Sequence, residues 1–194
     1  WIVGTGIYLD DVEKAVAAGV AVVQYRNKTA DTRRLYDEAR RIRGICAGSG
    51  TRLIINDRVD IALAVDADGV HIGNEDMPYR EARRILGGVK IIGVTVHDVA
   101  EALAAESAGA DYLGVSPIYA TGTKADAGAP CGIETLAEIR RACGKPLVAI
   151  GGVNLSNADD VISAGADMVC AISAVVTKPD VTGEILRFQR KFGI

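Results

Sequence analysis

Apolar positions along the chain fall into two alternating patterns. Seven short runs are continuously apolar and close on a polar residue or a glycine: VAVVQYR, TRLIIND, ADGVHIG, KIIGVTVH, GADYLGVS, KPLVAIGG and GADMVCAIS. A run that does not alternate suits a strand covered on both faces, as in a parallel sheet. Between the runs lie DDVEKAVAAG, TRRLYDEARRIRGICA, MPYREARRILG, DVAEALAAESAG, IETLAEIRRACG and LSNADDVISAG, most with apolar residues near three-four spacing. That spacing predicts amphipathic helices. Asp98 is placed to cap one helix and Ser156 or Asn157 another, while Pro78 suits a first turn.

Four segments share one design: AAGVAVVQYR (17–26), AVDADGVHIG (64–73), SAGADYLGVS (107–116) and SAGADMVCAIS (163–173). Each hands a helix end to a strand through a tight Ala-Gly or Ala-Asp turn. Strand-helix-strand units recurring every roughly 45–55 residues suit a ring better than an open sheet. No strand is followed by Gly-x-Gly-x-x-Gly, which weakens the dinucleotide-fold alternative. The expected architecture is a (β/α)8 TIM barrel forming one domain over residues 1–194. Only WIVGTG precedes the first helix. The chain opens on Trp1, not Met, so a natural segment is expected before it. The first barrel strand is expected there too, with Ile2-Val3 as the alternative.

Composition narrows the class. The 194 residues are 49% hydrophobic and 24% charged, with a net charge of −3, which excludes a disordered chain. No apolar run reaches the roughly 18–20 residues of a membrane span, and the acidic start is unlike a secretory signal. The charge balance gives no reason to expect nucleic acid. Cys46, Cys131, Cys143 and Cys170 show no metal-finger spacing and are expected as free thiols in a reducing cytoplasm. A homo-oligomer is among the assemblies the sequence allows.

In such a barrel the chemistry sits at the C-terminal strand ends. Those ends carry Gln24 through Lys28, Asn56-Asp57-Arg58, His71 through Asp76, Thr95 with His97, Ser116, Gly151-Gly152 and Ser173. Gly152 lets backbone N–H groups approach an anion, and the loop after the last strand is expected to open onto a helix start, so a phosphate monoester is expected near Gly152 and Ser173. Arg26 and Lys28 lie two residues apart, and Lys124 lies in the small-residue loop Thr121-Gly122-Thr123-Lys124. These cations suit a diphosphate, with Asp57 and Asp76 as Mg²⁺ ligands. The plainer readings are an ion pair of Asp57 with Lys28 or Arg58, and Asp76 as a helix cap. His71, within a strand, reads as a satisfied core histidine, and His97 as a cap. The loop 121–131 is expected to act as a lid.

These residues together resemble the thiamine-phosphate synthase family. The marks are VVQYRNK, LIINDRVDIAL, ADGVHIGNEDMP, IIGVTVH, GADYLGVSPIYATGTKADAG, PLVAIGGV and GADMVCAISAV. The resemblance implies a Mg²⁺-dependent transferase that joins hydroxymethylpyrimidine diphosphate to thiazole phosphate and releases pyrophosphate. By the same likeness Gln24, Arg26 and Lys28 match a Q-x-R-x-K that binds the pyrimidine diphosphate. Asn56 and Asp57 match an N-D, and Asp76 a second metal carboxylate. Thr95 stands beside the pyrimidine where the family often has Ser. Thr121, Thr123 and Lys124 match a T-x-T-K loop that closes over the reactants, and Gly152, Ile172 and Ser173 match the thiazole phosphate site. Arg26, Lys28 and Lys124 are the expected catalytic cations. Asn74 stands where Gln is common. The thiazole tautomerase paralogue uses a histidine near the end of strand six, where this chain has Pro117. That paralogue and a non-catalytic phosphate-binding barrel are the alternatives.

Overall fold

The computed structural model describes residues 2–5, 9–122 and 128–194. Eight parallel strands alternate with eight helices: β1 (Ile2–Thr5), α1 (Leu9–Ala17), β2 (Val22–Arg26), α2 (Thr32–Cys46), β3 (Arg52–Asn56), α3 (Val59–Ala64), β4 (Gly69–Ile72) and α4 (Tyr79–Leu86). The second half continues with β5 (Ile91–Val96), α5 (Val99–Ala108), β6 (Tyr112–Val115), α6 (Gly132–Ala142), β7 (Leu147–Ile150), α7 (Ala158–Ser163), β8 (Met168–Cys170) and α8 (Val181–Lys191). The strands pair in chain order from β1 to β8, as a barrel requires. Among the described residues the seam between β8 and β1 is held by helices, not by a ladder. There α8 packs on α1, and Gln189 Nε2 donates to Ala18 O at 2.9 Å.

All seven apolar runs are strands. The first strand is not upstream of Trp1: Ile2–Thr5 supplies it, in parallel register with Val23–Arg26 of β2. Four residues suffice because the mate strand dictates the length, and so short a run gives a weak signal alone. Two helices, α3 and α8, have no counterpart among the expected segments. Asp98 caps α5 as expected, accepting from Glu101 N. Asn157 is the N-cap residue of α7, as one of the two candidates, but its side chain makes no cap hydrogen bond, because Asn157 Oδ1 accepts from Asn154 N instead. Pro78 precedes α4 as its cap residue and does not sit inside the first turn. The four cysteines are free.

The strands divide two cores. Outward-facing Val23, Leu53, Ile55, Val70, Ile72, Leu113, Leu147 and Ala149 meet the helices in one large cluster. A second cluster of Tyr112, Val148 and Cys170, with Ile91, Ile150, Met168 and Ile172, fills the barrel interior. Glycine makes that interior possible. A Cβ on Gly93 would lie 1.9 Å from the Tyr112 ring, and one on Gly114 would lie 2.9 Å from the His71 ring. His71 is the satisfied core histidine expected: Nδ1 meets Tyr112 Oη and Nε2 meets Thr95 Oγ1, each at 2.8 Å.

The repeated Ala-Asp and Gly-Ala-Asp turns have a common physical role at the other end of the barrel. Asp68, Asp111 and Asp167 each accept the backbone N–H of a residue on the preceding strand: Leu53, Ile92 and Leu147, at 2.8, 2.7 and 2.8 Å. Each aspartate also pairs with an arginine from the even-numbered helix that leads into that strand: Arg43, Arg83 and Arg140. In the first repeat Ala21 holds the aspartate's position and offers no acceptor.

Removing one such acceptor leaves an N–H at a strand start without its partner, a cost of about 1–3 kcal/mol. Asp111→Ala is therefore expected to lower unfolding free energy by that amount in urea titration. Arg84→Ala, which removes an exposed pair with Glu81 within α4, should change it by less than about 1 kcal/mol.

Candidate active site

The alternation along β2 sorts its residues. Gln24 and Arg26 are buried on the barrel side, while Tyr25 points to α2. Gln24 Nε2 has no hydrogen-bond partner among the described residues although it is buried, so an amide donor stands ready inside the barrel. Lys28 follows in the loop and reaches across to β3, where its Nζ lies 2.5 Å from Asp57 Oδ2. Asp57 takes up a left-handed backbone, φ 62°, a conformation that aspartate tolerates better than most residues. Its N–H donates to His71 O at 2.8 Å, which ties the end of β3 to β4.

Asp76 enters from the loop after β4. Its Oδ2 accepts from Gly73 N at 2.8 Å, so it braces that loop and does not cap α4. Asp57 and Asp76 line the same cavity, and Asp76 bears on the ionisation of Asp57. Burial raises the Asp57 carboxyl; the Lys28 hydrogen bond lowers it, and Asp76 raises it again, with a net upward shift. Burial depresses the Lys28 ammonium, but the hydrogen bond and charge of Asp57 outweigh this and raise its pKa. Lys28, Asn56, Asp57 and Asp76 line one cavity of about 250 Å³, together with Asn27 and Arg58. Its floor is apolar: Leu35, Ile55 and Ile61.

Both plain readings of Asp57 are thus decided. It pairs with Lys28, whereas Arg58 pairs with Asp60 at 2.5 Å. The pairing does not remove Asp57 from the cavity. Two adjacent carboxylates, one with a raised pKa, form a donor set that suits a hard divalent cation. Among the described residues no cluster of three or more acidic, histidine or cysteine side chains exists to complete a metal shell. Mg²⁺ tolerates that, because it keeps water and phosphate oxygens beside one or two carboxylates.

A second, smaller cavity of about 30 Å³ lies across the ring, lined by Ser116, Thr121, Gly151, Gly152, Ile172 and Ser173 among others. Gly152, Ile172, Ser173 and Thr121 therefore come together as expected. The helix start expected after β8 does not. Residues 172–177 make a single turn, with Val176 N donating to Ile172 O at 2.8 Å, and α8 begins only at Val181. The glycines serve packing as well. A Cβ on Gly151 would sit 2.6 Å from Pro117 Cβ, and one on Gly152 2.6 Å from Tyr119 Cβ. Ile118 N and Tyr119 N donate to Ile150 O and Gly151 O, which clips the β6–α6 loop onto the end of β7.

Thr95 is buried on His71 and lines neither cavity. Gln24 and Arg26 also lie outside both linings, within the barrel wall. Thr123 and Lys124 fall outside the described residues, as does the middle of the expected lid. His97 joins a rim contact: its Nδ1 meets Glu101 Oε2 at 2.8 Å, and Asn74 Nδ2 donates to Glu101 Oε1 at 2.9 Å. Tyr25, Asn27 and Glu38 carry no individual expectation from the sequence, though alternation within VVQYR sets Tyr25 opposite Gln24 and Arg26; Tyr25 and Asn27 line the cavity beside Lys28.

The close approach at Gly152 generates a paired expectation. Gly152 and Gly48 both have a positive φ, 67° and 75°, but Gly48 has open space where a Cβ would go. Gly48→Ala should cost only backbone strain of about 1–3 kcal/mol. Gly152→Ala adds overpacking of typically about 1–3 kcal/mol, so its thermal unfolding midpoint should fall clearly further.

The family model described as thiamine monophosphate synthase matches residues 2–175. A thiamine-phosphate synthase of Chloroflexus aurantiacus is 54% identical over 171 residues, 88% of this chain and 79% of that protein. One from Methanosarcina mazei is 51% identical over 180 residues, 93% of this chain and 75% of that protein. The solved thiamine phosphate pyrophosphorylase of Pyrococcus furiosus superposes with a TM-score of 0.91 at 36% identity, covering 99% of this chain and 93% of that one. Over nearly its whole length the chain thus matches these proteins in sequence and in fold, and it belongs to the thiamine monophosphate synthase family.

Proposed function

We propose that this chain, acting as one barrel domain, joins 4-amino-5-hydroxymethyl-2-methylpyrimidine diphosphate to 4-methyl-5-(2-hydroxyethyl)thiazole phosphate and releases pyrophosphate. It is a transferase of thiamine biosynthesis by its family. The observation that carries the substrate assignment is the pair of separate seats. Lys28, Asn56, Asp57 and Asp76 share one cavity, and Gly152, Ile172, Ser173 and Thr121 share another. One phosphate monoester needs one seat; a diphosphate plus a monophosphate needs two.

The roles follow from chemistry. Gln24 offers its buried Nε2–H to an acceptor on the pyrimidine, and Thr95, its hydroxyl bonded to His71 Nε2, stands beside the same ring. Asn56 donates to the diphosphate. Asp57 and Asp76 hold Mg²⁺, which supplies charge neutralisation of the diphosphate when bound. Arg26, Lys28 and Lys124 spread the negative charge that grows on the leaving diphosphate. The pyrimidine methylene becomes cation-like as its C–O bond breaks, and the thiazole nitrogen attacks it. Thr121 and Thr123 close over the thiazole phosphate, which rests on the Gly152 and Ser173 backbone and the Ile172 side chain. Preorganised charge and positioning suffice for this reaction, and no strong base is needed. The ligands are small molecules. Among the described residues no helix is long and apolar enough to cross a membrane. We place the reaction in the cytoplasm, where four free thiols persist.

One incubation tests the reading: both substrates, with and without Mg²⁺, assayed for pyrophosphate. Metal-dependent release with thiamine phosphate formed is expected, and no release under either condition overturns the assignment. Arg26→Ala and Lys124→Ala should each lower turnover by about 10²–10³-fold with the fold intact. Asp57→Asn should shift the Mg²⁺ dependence to higher concentration, and an unchanged metal titration would remove Asp57 from the metal site.

A further inference from the structure

Tyr25 and Asn27, the residues between Gln24, Arg26 and Lys28, both grip one carboxylate. Tyr25 is buried, and its hydroxyl donates to Glu38 Oε2 of α2 at 2.5 Å. Asn27 Nδ2 donates to the same oxygen at 3.3 Å. Arg34 Nε donates to the other, Oε1, at 2.7 Å. Asn27 also closes the loop on its own side: its Oδ1 accepts from Thr29 N, Thr29 Oγ1 and Ala30 N at 3.2, 3.2 and 3.1 Å. Lys28 sits between Asn27 and Thr29, inside this turn, with its ammonium extended to Asp57.

Glu38 therefore connects α2 to the loop that presents Lys28. Burial would raise its pKa, yet the hydrogen bonds from Tyr25, Arg34 and Asn27 outweigh burial and lower it, so the carboxylate stays ionised and accepting. A charged acceptor with several donors is stronger than a neutral contact and fixes direction as well as distance. Strand alternation converts that grip on one face into fixed positions on the other.

We propose that Glu38 is a positioning residue for the diphosphate seat: through Tyr25 and Asn27 it holds the β2–α2 loop so that Lys28 and Arg26 meet a diphosphate. Glu38 itself touches no substrate. The claim rests on the diphosphate reading above and adds a residue outside the cavity lining. Because misplacement of a binding group by about 1 Å can cost on the order of 10²-fold, the effect should be large for one ligand only.

Two measurements on the full chain test it. Amide hydrogen exchange reads the brace directly, since Thr29 and Ala30 N–H are bonded to Asn27. Glu38→Ala should speed exchange at both amides, and Glu38→Gln, which keeps one acceptor oxygen, should restore most of the protection. Calorimetric titration with inorganic pyrophosphate and Mg²⁺ reads the consequence. Binding should weaken by roughly 10- to 100-fold in Glu38→Ala, recover in large part in Glu38→Gln, and weaken less in Tyr25→Phe. The KM for thiazole phosphate should stay within about twofold, because its seat lies across the ring. Unchanged exchange in a folded Glu38→Ala variant overturns the brace. Equal loss of both ligands, or unchanged pyrophosphate binding, overturns the positioning role. Failure of the wild-type chain to bind pyrophosphate would instead refute the diphosphate reading, while the exchange result still decides whether the brace exists.

Discussion

Two carboxylates, Asp57 and Asp76, line one cavity beside the ends of adjacent strands, and holding these like charges together is the constraint on which the account of the barrel mouth depends. Like charges so held require positive charge nearby. The chain supplies part of it with Lys28, at 2.5 Å from Asp57. Burial sharpens the demand, because charge taken out of water is poorly screened. The local backbone accepts strain to reach this arrangement: Asp57 occupies the left-handed region at the turn where β3 ends. Such positions persist where the surroundings over-determine them, and here Asp57 N–H is held by His71 O.

The scaffold behind that mouth is built from repeated parts. At one end of the barrel, three aspartates in equivalent turns pin strand starts and are themselves held by arginines from the even-numbered helices. In the interior, glycines on β5 and β6 admit the Tyr112 and His71 rings, which in turn hold Thr95. At the mouth, glycines on β7 bring the β6–α6 loop against the strand end. Rigid elements therefore reach every described seat residue through short loops, which suits catalysis by preorganised charge. Gly152 illustrates the economy of the design, since a residue without a side chain both lines the small cavity beside Ser173 and admits Tyr119.

Much of this was legible in the chain. Continuous apolar runs identified seven strands because a strand covered on both sides has no polar face to interrupt it. The repeated turns with aspartate identified the ring. Lys28, Asp57 and Asp76 were legible because each ends a strand or opens its loop, and the structure gathers them in one cavity. The first strand was misjudged: Ile2–Thr5 is short, and its place comes from pairing with β2. The helix α3, VDIALA, is too short for a clear period. Glu38 carried no signal, since a glutamate in the arginine-rich helix TRRLYDEARRIRGIC reads as an ordinary solvated partner. Its significance comes from Tyr25 and Asn27 meeting it across the sheet–helix layer. The turn after β8 was read as a helix start because SAVVT continues an apolar run, whereas α8 waits for the Asp180 cap.

The most direct test of the central claim is anomalous diffraction from a crystal soaked with Mn²⁺, as a stand-in for Mg²⁺, and inorganic pyrophosphate. The account predicts one metal peak between the carboxylates of Asp57 and Asp76, with pyrophosphate oxygens completing its shell and Lys28 on the diphosphate. Ordered pyrophosphate at Gly152 and Ser173, with no metal near either aspartate, would contradict it.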